Sequence, residues 1–241
     1  MKKLIEHLKL EWYKYFLEIL VLIIGIYGAF ALEEWKENRS NHKNEVSILE
    51  KLYSNLQSDT ANFNLMLRIV DVRRADTHTI ISEMNNDELE DFSVSVAGTM
   101  ITTFPIALSK SAWNTMLASD KILSEFSNKE IIDSLNNYYN LFDVHTQNWI
   151  NANNEYTRNV VGPYLFAFDR MGLGSGSVPD SVLSQLDLPG KRPAAYRRDV
   201  KVLNFIEFRL ETLGSIERRY LLDRARAENL LTMIRNELDR K

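Results

Sequence analysis

From Phe16 to Leu32 the chain reads FLEILVLIIGIYGAFAL, apolar on every face of a helix and carrying one charge, Glu18. A helix on the surface of a soluble protein would show one apolar stripe instead. As a helix this run spans about 25 Å, and about 30 Å with the aromatics that flank it. Those aromatics (Trp12, Tyr13 and Tyr15 before, Trp35 after) stand where an interfacial belt belongs. The pattern predicts one transmembrane helix over 16–32. A cleaved signal peptide is the alternative, since Ala29-Phe30-Ala31 has the A-x-A form and Lys2 and Lys3 open the chain. The leader contains Glu6 and Glu11, and the run itself contains Glu18, which favours a retained anchor.

Beyond Leu32 the pattern changes period. No proline or glycine occurs between Glu33 and Met84. Apolar or semi-apolar residues recur there in steps of three and four: Val46, Leu49, Tyr53, Leu56, Thr60, Phe63, Leu67 and Val70, with Ile81 and Met84 extending the stripe. A second stripe (Ile48, Leu52, Leu65, Ile69, Ile80) widens the face, which suits a bundle better than a bare two-stranded coil. Nothing between Leu32 and Val46 breaks a helix, so the anchor is expected to run straight into this one. Asn85-Asn86-Asp87 ends it. Residues 92–109, interrupted by Pro105, have some strand character from their Thr and Val content. Ser127-Asn-Lys-Glu130 has the capping-box form and predicts a helix from about Asn128 towards Val161, ending before Gly162-Pro163. Glycines 172, 174 and 176 and then Pro179 mark a loop, and Pro189-Gly190 and Pro193 a second. After Pro193, apolar residues from Val202 to Leu238 again step by threes and fours, predicting a helix of about 70 Å. The expected fold class is all-α: a transmembrane helix continuing into an elongated antiparallel helical bundle with long first and last helices. The expected division is a cytoplasmic leader over 1–15, the anchor over 16–32 and an extracytoplasmic bundle over 33–241.

Composition narrows the partners. The 241 residues carry a formal net charge of −4, with 45% hydrophobic and 26% charged residues, an ordinary balance for a folded domain. A weakly acidic chain lacks the basic face of a duplex nucleic-acid binder. From Lys191 onward basic residues outnumber acidic ones, so two segments of opposite sign are available to pair, within one chain or between copies. There is no cysteine, which excludes disulfides, Cys-ligated zinc and thiol nucleophiles. Lys2, Lys3, Lys9 and Lys14 precede the apolar run and Lys36, Arg39 and Lys43 follow it closely, a small bias that the short leader and the large C-terminal part reinforce towards a cytoplasmic N-terminus and a periplasmic bundle.

Candidate chemistry is sparse. His7, His42, His78 and His145 stand alone, with no metal-ligand spacing around them. Gly172, Gly174 and Gly176 imitate part of a nucleotide fingerprint, but Pro179 follows where a helix should begin. Ser40-Asn-His-Lys43 has the Ser-x-x-Lys form without its companion motifs. Trp113, Tyr138 and Tyr139 could line a ligand pocket, although packing of a helical corner explains them better. No catalytic residue, cofactor site or metal site is assigned, and no enzyme is expected. One association face stands out in the anchor: Glu18, Leu22, Gly25 and Ala29 share a side, and Gly25-x-x-x-Ala29 is a small-residue pair that lets helices approach. Glu18 there either snorkels to the headgroups, bonds across a helix contact or handles ions.

Glu18-Ile-Leu-Val-Leu-Ile-Ile-Gly25 with Glu34-Trp35-Lys-Glu-Asn-Arg39 resembles the start of an uncharacterised family of small bacterial single-pass membrane proteins. Ser111-Ala-Trp-Asn-Thr-Met-Leu-Ala-Ser-Asp-Lys121, Asn128-Lys-Glu-Ile and Asn137-Tyr-Tyr139 are similar to that family's middle. The resemblance implies a single-pass topology and adds no mechanism or functional residue; that family's anchor is usually more aliphatic and lacks the Ala29-Phe30-Ala31 site. The expected role is a membrane-anchored scaffold or interaction protein of the bacterial envelope. Its expected partners are lipids and either its own copies or another envelope protein, with no nucleic acid. The alternative is a small-ligand sensor or an accessory subunit of a membrane complex, and the short leader leaves a sensor without an output domain.

Overall fold

The computed structural model describes residues 2–89, 91–168 and 193–241. Its first helix, α1 (Lys2–Met84), runs unbroken for 83 residues, about 125 Å. Absence of Gly and Pro between 33 and 84 removes the usual sources of a kink, so the apolar run and the bundle helix are one rod. No side chain from Phe16 to Arg39 is more than partly covered by the rest of the chain, and burial begins at Glu45. By length and composition α1 contains one segment able to cross a membrane; a signal sequence meets the same criterion.

Short helices follow: α2 (Val96–Met100), α3 (Ser111–Leu117) and α4 (Asp120–Glu125). A third long rod is built of α5 (Lys129–Leu141), a π-helical stretch Phe142–Gln147, α6 (Asn148–Tyr156), a second π-helical stretch Thr157–Val161 and α7 (Gly162–Phe168). A single turn, α8 (Pro193–Tyr196), precedes the last helix, α9 (Val200–Leu238), of 39 residues. α9 packs antiparallel to α1, with Lys241 beside Glu45 at one end and Arg197 beside Asp87 at the other. The described residues are helical with no strand, an elongated antiparallel bundle around two long helices.

Four local expectations change. Residues 102–110 form no strand. Their backbone groups are taken one at a time by side chains: Arg209 donates to the Thr102 carbonyl, Tyr220 to that of Phe104 and Tyr139 to that of Ser109. The helix after Ser127 is capped by Asn128, whose Oδ1 accepts from the Ile131 N–H. Ser127 instead donates its N–H and hydroxyl to Glu45. Gly162-Pro163 does not end the third rod. The π turn ahead of it lets the Gly162 N–H reach back to the Thr157 carbonyl, and the helix continues through the proline to Phe168. The last helix is shorter than expected, about 58 Å, because Asp199 caps a fresh start. Its Oδ1 accepts the N–H groups of Lys201 and Val202. The glycine-rich loop and Pro189-Gly190 lie outside the described residues.

Candidate functional site

The core of the bundle is not uniformly apolar. Three apolar blocks lie along α1 and α9. The first holds Leu49, Leu52 and Leu56 against Ala227, Leu230 and Ile234. The second holds Phe63 and Val70 against Leu213, Ile216 and Tyr220, and the third Ile80 and Met84 against Val202 and Ile206. Charged residues occupy the seam at the end of the first block and between the blocks: Glu45, Asp59 and Arg73 on α1, Glu237, Asp223 and Arg209 on α9. Each series has a spacing of fourteen residues, two heptads, or about 21 Å. Because the helices are antiparallel, Glu meets Glu, Asp meets Asp and Arg meets Arg.

In two of these layers the carboxylates meet hydrogen-bond donors. In the Glu layer Lys241 lies 2.7 Å from Glu45 Oε2 and 3.7 Å from Glu237 Oε1. Asn128 adds a bond to Glu237. Burial alone would raise the Glu45 carboxyl, but Lys241 and the two Ser127 donors hold it below the ordinary glutamate range. In the Asp layer, Asp59 is 0% exposed and accepts the Ser109 N–H at 2.7 Å and the Tyr138 hydroxyl at 3.2 Å. Burial outweighs these donors and pushes its pKa up to about 6. Asp223 accepts the Thr146 hydroxyl and an Arg226 N–H, both at 2.6 Å. Thr146 comes into range from the first π stretch, where the carbonyl of His145 accepts from Arg219.

The Arg layer differs. Arg209 is 2% exposed; it donates one Nη1–H to the Thr102 carbonyl at 2.9 Å and lies 4.9 Å over the Phe104 ring. Its Nε and Nη2, and the Nε of Arg73, are buried without an acceptor among the described residues. A buried donor left unpaired costs roughly 1–3 kcal/mol, more when charged. Burial pulls the Arg209 guanidinium down to about 10, and the repulsion of Arg73 adds to it.

The residues singled out from sequence fall elsewhere. Glu18, Gly25 and Ala29 are exposed on one side of α1 and touch no other element; a Cβ on Gly25 would meet nothing within 4 Å. Trp113, Tyr138 and Tyr139 are buried and packed on one another, with Trp113 stacked on Tyr139 at 5.7 Å. They fill space, and the Tyr138 hydroxyl serves Asp59. His42, His78 and His145 are exposed and apart, and His7 lies on α1. Ser40 and Lys43 are exposed on α1 just before the bundle core begins. Among the described residues no three His, Asp or Glu side chains are grouped to hold a metal ion.

The charged layers went unread in the sequence. The stripe traced through Tyr53, Thr60 and Leu67 passes one residue beside the true seam at Leu52, Asp59 and Met66. The signal was the heptad itself: the gaps left at 209 and 223 in the last helix hold an Arg and an Asp at seam positions. No protein-family model, curated protein or solved structure matches the chain.

Proposed function

We propose that this protein is a membrane-anchored helical scaffold or interaction protein of the bacterial cell envelope. One observation carries the reading: a membrane-length apolar segment and the spine of the bundle are a single helix, α1. Whatever docks on the bundle is thereby held at a fixed height and rotation relative to the bilayer. The buried like-charge layers support a scaffold too. In the Glu and Asp layers each carboxylate meets its own donors, and buried polar positions in helical seams are best attested as register devices. In this reading the N-terminus is cytoplasmic, residues 33–241 are periplasmic, and copies associate through Glu18, Gly25 and Ala29. No reaction and no cofactor are part of it.

Size and co-purifying proteins of the full-length chain from its native membrane test the role. A lone monomer with no partner would overturn it. Topology has a clean test because the chain has no cysteine. Ser58→Cys should react with a membrane-impermeant maleimide once the outer membrane is opened, whereas Lys14→Cys should not; the reverse pattern places the bundle inside. A mature mass that includes Met1 to Ala31 distinguishes an anchor from a removed signal.

A second reading, a sensor of a small extracytoplasmic ligand, is favoured by the buried Arg209 guanidinium, two of whose nitrogens have no acceptor among the described residues.

A further inference from the structure

We propose that the Arg73–Arg209 layer is a binding site for a small oxyanion, a phosphate or a carboxylate, reached from the surface beside Arg73. The proposal stands on the Arg layer alone and does not depend on what the bundle docks with. Three observations meet there. First, the charge of this layer is only partly matched. The Glu layer holds Lys241, and the Asp layer holds Tyr138, Thr146, Arg226 and the Ser109 N–H. Asp76 bonds Arg73 Nη1 at 2.9 Å and so answers one of the two charges, while Glu217 and Asp71 pair with Arg74. Among the described residues no acidic side chain pairs with Arg209, whose neighbours are a carbonyl and an aromatic face.

Second, the unused donors form the edge that reads oxyanions. Nε and Nη2 are one side of the guanidinium fork, the pair that carboxylates and phosphates meet with two parallel bonds. On Arg209 both lack an acceptor among the described residues, and the Arg73 Nε is a third such donor. Arg209 is held rigidly by the Thr102 bond on its other arm, so the free edge needs no reordering to bind. Third, the layer is buried on one side and partly exposed on the other: Arg209 is 2% exposed, whereas the Arg73 side chain keeps 33% of its surface in solvent. An anion seated between them would cancel the repulsion of two guanidiniums and tie α1 to α9 at one height. Binding there therefore stabilises the α1–α9 pairing towards the end of the bundle far from the anchor.

The test is thermal unfolding of the full-length protein in detergent at constant ionic strength, with chloride replaced stepwise by inorganic phosphate or by acetate. A saturating rise in Tm of about 5 °C or more is expected for at least one of them. Phosphate alone raising Tm identifies the phosphate class, and acetate raising it the carboxylate class. Arg209→Met should abolish the saturating rise and Arg73→Gln should weaken it by at least tenfold in apparent Kd. Should Arg209→Met fail to fold, phosphate and acetate titration calorimetry on the wild type and Arg73→Gln gives the same comparison, since Arg73 is partly exposed. No rise, or a non-saturating rise shared equally by the variants, as general salt exclusion gives, overturns the site.

Discussion

At the scale of single residues, Asp59 is the most consequential side chain in the bundle. Its carboxyl has a pKa of about 6 when folded against an ordinary 3.8. Between those values the folded chain holds a proton that the unfolded chain has released. Stability from this site is therefore full below about pH 4 and is lost as pH rises through about 6. Glu45 works in the opposite sense: held below its ordinary range, it contributes stability above that range and loses it as pH falls. In urea unfolding the wild type should thus weaken between about pH 4.5 and 6.5 and then level off. Asp59→Asn keeps an acceptor for the Ser109 N–H without the buried charge. It should remove that slope and gain on the order of 2–3 kcal/mol at pH 7.5. An unchanged slope in the variant would assign the titration to another group. Tyr138→Phe strips a donor from the charged form, so it should lower stability at pH 7.5 by about 1–2 kcal/mol and much less at pH 4.5.

At the scale of elements, each boundary is set by which groups meet the orphaned backbone. α9 begins where Asp199 takes two N–H groups and is itself held by the Tyr164 hydroxyl. Burial opposes its charge, but that hydroxyl and the two N–H groups keep the carboxyl below the usual aspartate range. Asp199→Ala should cost about 1–2 kcal/mol, a fall in Tm of roughly 2–8 °C by calorimetry. A change under half a degree would mean that the preceding turn caps the helix unaided. This start was not legible from apolar spacing, which runs smoothly through it. The long helices were legible, since Leu49, Leu56, Phe63 and Val70 are buried as their spacing requires. Alternate seam positions were not, for a physical reason: Asp59 and Arg73 are the residues that apolar tracing avoids. Only tertiary donors, such as the Ser109 N–H from fifty residues away, make Asp59 tolerable inside. Gly162-Pro163 misled in the same way, because a π turn relieves the clash that ends an ordinary helix. The candidate association face in the apolar segment rests on spacing along one helix alone, and no contact within the chain bears on it.

At the scale of the whole molecule, the rod divides where burial begins. Before Glu45 the described side chains are exposed or partly so, and a Lys121–Glu37 bond joins the lower part of α1 to the bundle. The bundle should therefore fold without the apolar segment. Residues 41–241 expressed alone should keep the helices of the bundle and a Tm within a few degrees of the full chain, and a non-cooperative melt would show that residues 1–40 are structurally required. The pair of proteins then locates self-association. If the full chain is oligomeric in detergent while the fragment is monomeric, the contact lies within residues 1–40. Gly25→Ile refines this to one face. A side chain there meets nothing within 4 Å in the single chain, so folding of the monomer is expected to be indifferent to it. A helix contact through Gly25 and Ala29 depends on close backbone approach, and added bulk should dissociate it by tenfold or more. Leu20→Ile, off that face, is the matched control. Dissociation by Gly25→Ile alone assigns the contact to Glu18, Gly25 and Ala29. Equal behaviour of the two variants removes that face from the assembly and moves the search to the bundle's own surface.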